Sequence, residues 1–206
     1  MRLQTLFLFF LISPSVMLPA KETRTLFNGV TLDGWKITDF GTQGSVTVQD
    51  GVLVLGMGEG ATGITWEGEF PTMNYQITLQ AKRVSGNDFF CGMTFPVNDS
   101  FLTLVVGGWG GFVVGLSCLD GLDASENETS AMKNFENNRW YSIRLQVLQN
   151  IVKVWIDDIN VINCDTQDRE LSLRPEVLLS RPFGIASWYT RAALKNIKLS
   201  IDESNE

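Results

Sequence analysis

From residue 35 almost to the end of the chain, apolar residues recur at every second position. That period belongs to strands with one face buried and the other turned to solvent. The stretches TVQDGVLVL, YQITLQAKRV, FLTLVVGGW, WYSIRLQVL, IVKVWID, FGIASWY and LKNIKLSI all carry it. Turn signals separate them: Asp50-Gly51, Ser85-Gly86-Asn87-Asp88, Asn98-Asp99, Gln149-Asn150 and Asp157-Asp158. Residues 168–180 read as one short helical turn before Pro182. There is no long amphipathic helix, internal repeat or linker. The pattern predicts an all-β sandwich forming one domain over residues 21–206.

Alternation also sorts faces. In the strand from Trp140, the residues Tyr141, Ile143, Leu145 and Val147 point one way, and Trp140, Ser142, Arg144 and Gln146 the other. Val152, Val154 and Ile156 form the buried face of the following strand, so Trp155 joins Trp140 and Arg144 on an exposed sheet surface. Three strands differ from these. Phe89, Cys91, Met93 and Phe95 share a fully apolar face, opposite Phe90, Gly92 and Thr94. Phe101, Thr103, Val105, Gly107 and Trp109 share another, and Val113, Gly115 and Ser117 a third. Aligned, the smaller faces make a shallow floor with Phe90, Phe101 and Trp109 at its edges. Thr103 and Ser117 offer hydroxyls there. Glycine in a strand marks either close approach to the backbone or a bend in the sheet. Aromatic rings beside small polar groups suit the apolar faces of sugars.

The third of these strands runs into GLDASENETS, which follows the stretch GGWGGFVVGLSCLD. Asp120, Asp123, Glu126 and Glu128 crowd this loop, with Asn127 among them as a candidate sugar contact and Lys133 close behind. These carboxylates are candidates for acid and base, with Lys133 to steady an oxyanion. They are equally candidates for holding a divalent cation such as Ca²⁺, the one cofactor the sequence suggests. A solvated acidic loop is the plain alternative. Asp88, in the turn before the floor, is a further catalytic candidate; its plain role is an Asx turn.

Bulk properties narrow the partners. The chain holds no His, and its formal net charge is −7. An acidic chain without basic clusters argues against nucleic acid and anionic membrane as partners and leaves neutral sugars open. Residues 1–20 read as a signal peptide: Arg2, then an apolar run from Leu6 to Ile12, then small residues ending at Ala20. The expected location is therefore secreted or periplasmic. Cys91, Cys118 and Cys164 fall in apolar patterns and read as buried small hydrophobes, with one disulfide left open. Asn98 and Asn127 begin N-glycosylation sequons and read as polar loop residues.

One segment, Leu26-Phe27-Asn28-Gly29-Val30-Thr31-Leu32-Asp33-Gly34-Trp35, resembles the opening of the 3-keto-disaccharide hydrolase family. Further pieces follow in the family's order: Gly86-Asn87-Asp88, Asn138-Arg139-Trp140-Tyr141, Val154-Trp155-Ile156-Asp157-Asp158 and Phe183-Gly184-Ile185-Ala186. The resemblance spans residues 25–201. It implies a concanavalin A-like jelly roll of two stacked antiparallel sheets, and action on carbohydrate, including glycosides oxidised at C3. The floor strands FFCGMTFPV and SFLTLVVGGW lack the charged residues many members carry there, and there is no His. The resemblance therefore assigns no catalytic residue at those positions. Either other residues act, or the domain binds without cleaving.

Overall fold

In a computed structural model, residues 21–202 are described; the leader expected over residues 1–20 lies outside them. Two antiparallel sheets face each other across one core. The first has eight strands. Its path is β13 (Ile159–Asp165), β12 (Ile151–Ile156), β11 (Tyr141–Val147), β6 (Tyr75–Gly86), β15 (Thr190–Asp202), β4 (Val52–Leu55) and β3 (Val46–Gln49), with β1 (Lys21–Thr25) paired to β15. The second has seven strands in the order β10 (Ala131–Met132), β9 (Val113–Ser117), β8 (Ser100–Gly108), β7 (Cys91–Val97), β14 (Gly184–Trp188), β5 (Ala61–Trp66) and β2 (Trp35–Ile37). This is the jelly-roll sandwich that the alternation and the family resemblance predict. A short 3₁₀ helix, Pro175–Ser180, fills the place of the helical turn expected before Pro182.

The two sheets obey different burial rules. In β6 and β11 buried and partly exposed residues alternate, so one face meets the core and the other meets solvent. Every residue of β7 and β9 is buried. Their inner faces supply Cys91, Met93, Phe95, Val114 and Leu116 to the core. Their outer faces are covered by other parts of the same chain. The strand glycines make that cover possible. A Cβ on Gly115 would lie 2.6 Å from the carbonyl oxygen of Ala124, and one on Gly92 would lie 2.8 Å from the Phe89 ring. The close approach that these glycines permit is thus made by the protein's own loops.

Phe90 departs from its expected place. It is fully buried among Phe135 and Tyr141, with ring centroids 5.1 and 6.1 Å away, and so is a core residue rather than a sugar contact. The reason is a break of phase. Regular strand begins only at Cys91, and the bend just before it turns Phe90 inward and leaves Phe89 on the outer face. Phe90→Ala should therefore destabilise the fold by roughly 3–5 kcal/mol in urea unfolding. A ring standing on an open floor would cost far less. All three cysteines are buried and unpaired, and burial pushes the Cys91 thiol up to about 12.

Candidate functional site

Strand register sets the floor of the outer face. Thr94, Thr103 and Ser117 are successive partners across β7, β8 and β9, and Gly184 extends the row onto β14. Thr94 and Thr103 share a hydroxyl hydrogen bond of 3.1 Å. The adjacent row runs Ala186, Gly92, Val105 and Gly115. Small side chains in both rows leave a pocket of about 190 Å³ above them. Thr103, Val105 and Ser117 form its base, with Asp88, Phe89, Trp109 and Trp188 around it. Arg174, Glu176 and Val177 complete the lining.

The aromatic wall follows from two backbone contacts. The Trp188 N–H donates to the Phe89 carbonyl at 3.0 Å, joining the end of β14 to the bend before β7. The two rings then stack at 6.3 Å, 25° from parallel. Trp109 sits at the tip of the β8–β9 connection with φ 46°, between glycines at φ 80° (Gly107) and 82° (Gly110). Beneath the tip lies Arg83, itself buried. Its Nη2 donates to the Phe135 carbonyl at 2.7 Å and its Nε to Asn137 at 2.8 Å. Gly111 has φ 100°, and a Cβ there would meet Arg83 Nη1 at 2.4 Å, so only glycine fits over this guanidinium.

Two carboxylates line the pocket, and their surroundings push them apart. Burial raises the pKa of Asp88. The backbone N–H groups of Phe89, Trp109 and Gly110, and the Arg83 charge, act in the opposite direction without cancelling the rise. Its Oδ1 accepts the Phe89 N–H at 2.7 Å. Glu176 is held below its ordinary value by hydrogen bonds from Arg174 at 3.3 and 3.4 Å. Arg174 also reaches Asp123 Oδ2 at 3.1 Å. Hence Glu176 stays an anion paired to Arg174, whereas Asp88 is the carboxyl more easily protonated.

Of the residues singled out in the sequence, Asp88, Thr103, Trp109 and Ser117 line this pocket. Asp120, Asp123, Glu126, Asn127 and Lys133 do not. The acidic loop is tied down instead. Arg169 bonds Asp120 at 2.6 Å and also Glu128, and Asp120 accepts the Glu170 N–H at 2.8 Å. Asp123 caps the Ser125 N–H at 2.8 Å and reaches the pocket only through Arg174. Asn127 is buried. Its Nδ2 donates to the carbonyls of Leu116 and Asp123, each at 2.7 Å, which staples the loop to β9 and removes the side chain from both sugar binding and glycosylation. Glu126 is exposed, and Lys133 Nζ lies 6.0 Å from the Phe135 ring. Among the described residues no three His, Cys, Asp or Glu side chains form a metal-holding group. Asp120, Asp123 and Glu128 pair with arginines, an arrangement that does not fit Ca²⁺.

Phe89, Trp188, Arg174 and Glu176 are pocket residues that the sequence reading missed. Trp188 had a signal. FGIASWY alternates Gly184, Ala186 and Trp188 against Ile185 and Ser187, the same small-face pattern as the other floor strands. Arg174 stands at the N-cap, and Glu176 in the first turn, of a 3₁₀ helix whose docking onto the sheet has no periodicity to reveal it.

Comparison with known proteins agrees with this fold. A protein of Parabacteroides distasonis assigned as a glycosyl hydrolase superposes with a TM-score of 0.57 at 17% identity, over 88% of this chain and 94% of that one. The Crh5 transglycosylase in complex with NAG gives 0.58 at 15%, covering 91% and 86%. The carbohydrate-binding module CBM66 of Bacillus subtilis gives 0.53 at 15%, covering 80% and 94%. None of the curated proteins matches the sequence. The 3-keto-alpha-glucoside-1,2-lyase-like domain matches residues 22–200, nearly the whole described chain, and the chain belongs to that family.

Proposed function

We propose that this domain is an exported carbohydrate-active enzyme that cleaves the glycosidic bond of 3-keto glycosides or disaccharides in the Asp88 pocket. One observation carries the reading: a half-buried carboxyl with a raised pKa stands over a neutral, aromatic-walled floor. Family membership supports this choice of substrate class. A ketone at C3 acidifies the proton on C2. Asp88 takes that proton, and the electron pair passes into the C3 enolate. Collapse of the enolate forms the C1–C2 double bond and expels the glycosidic oxygen. Asp88, now protonated, holds the proton that oxygen needs, and water adds to the enone afterwards. The Arg174 guanidinium supplies positive charge for the enolate.

A non-catalytic binding module is the second reading. It is favoured by the base of the pocket, where Thr103, Val105 and Ser117 bring no charge. CBM66 illustrates the same fold in a carbohydrate-binding module. Incubation of the protein with a 3-keto-glucoside separates the two. Release of free sugar is the expected result. Saturable binding without release would falsify the enzymatic reading and leave the module.

A further inference from the structure

The outer face of the eight-stranded sheet is charged against the molecule's own sign. The chain is formally −7. This face nonetheless presents Lys82, Arg144, Lys153, Lys195 and Lys198, and none of the five pairs with a carboxylate among the described residues. Register places them. Arg144 and Lys198 flank Thr78 in one cross-strand row, and Ser142 and Lys195 flank Gln80 in the next. The backbones of Arg144 and Lys198 are thus two strand spacings, about 10 Å, apart. Between them lies a groove of about 350 Å³, with Thr78, Gln80 and Ser142 along it and Asp158 the only carboxylate in its lining.

Aromatic rings hold three of these cations without neutralising them. The Arg144 guanidinium lies 3.7 Å from the Trp155 ring centroid. The Lys82 and Lys195 ammonium groups lie 4.8 and 4.4 Å from that of Trp140. Charges so placed lose little freedom when an anion arrives. The hydroxyls and amides between them suit a ligand rich in hydroxyls. The wide spacing of the cations suits one whose negative charges are sparse. Duplex nucleic acid, with a charge per about 1.7 Å of axis, is poorly matched and is repelled by the net charge of the chain.

We propose that this groove binds an acidic polysaccharide, a sugar chain bearing carboxylates, as a second site separate from the Asp88 pocket. Affinity electrophoresis through native gels tests it, with polygalacturonate in one gel and its methyl-esterified form, the same backbone without charge, in another. Polygalacturonate should retard the protein at low salt, and added salt should release it. The ester should have little effect. The charge reversals Arg144→Glu and Lys198→Glu together should lower retention at least tenfold, and Lys153→Glu with Lys195→Glu gives an independent second variant. Trp188→Ala, in the other pocket, should leave retention unchanged. The proposal is overturned by no retardation, by equal retardation on the ester, by retention that survives both pairs of reversals, or by equally strong binding to a single-stranded oligonucleotide.

Discussion

Asp88→Asn should lower turnover of a 3-keto-glucoside by about 10²–10⁴-fold while leaving the sugar's dissociation constant nearly unchanged. The amide keeps an oxygen to accept the Phe89 N–H, so the bend before β7 survives. What it loses is the ability to take the C2 proton. The pH profile checks the same assignment. Burial makes Asp88 easier to protonate than an ordinary aspartate, and a base works only when deprotonated. Activity should therefore fall on the acid side at a pH above the usual aspartate value of 3.8. Asp88→Asn should remove that limb along with the activity. Asp120→Asn serves as the contrast. Its carboxylate is exposed and held below its ordinary value by the Glu170 N–H and Arg169, so the substitution should leave turnover close to wild type. Loss of activity in Asp120→Asn with retention in Asp88→Asn would return the chemistry to the acidic loop.

The legible part of this protein was the part governed by period two. Tyr141, Ile143, Leu145 and Val147 are all buried, as their alternation requires, and Arg144 and Trp155 meet on the opposite face. Thr103 and Ser117 sit on one row because each stands at an outward position of its own strand. Alternation fails where strands end. Phe90 lies in the bend before Cys91, and extending the strand pattern back through it assigned the wrong face to both Phe89 and Phe90. The acidic loop misled for another reason. Four carboxylates in sequence suggest an unsatisfied cluster, but the arginines that satisfy three of them, Arg169 and Arg174, come from a segment more than forty residues later. Local composition carries no trace of such long-range pairing. The same segment delivers Glu176 to the pocket, so one docking event hides both the neutralised loop and the missing half of the site.

Trp188→Ala should weaken sugar binding by about 2 kcal/mol, roughly thirtyfold in Kd, in titration of the protein with its glycoside. Trp188 is the broader part of the aromatic wall because it stacks on Phe89 and lines the pocket from the end of β14. Its N–H bond to the Phe89 carbonyl belongs to the backbone, so the substitution leaves that junction in place. Trp109→Ala should weaken binding less. Trp109 is 40% exposed at a loop tip, so a ligand there removes less of the ring from water than one enclosed between Trp188 and the floor. The order of the two effects locates the ligand. A larger loss at Trp109 would place the sugar at the rim, away from Asp88, and would favour a binding module whose ligand never reaches a carboxyl. A larger loss at Trp188 places it over Thr103 and Ser117, beside the carboxyl that burial has made easiest to protonate.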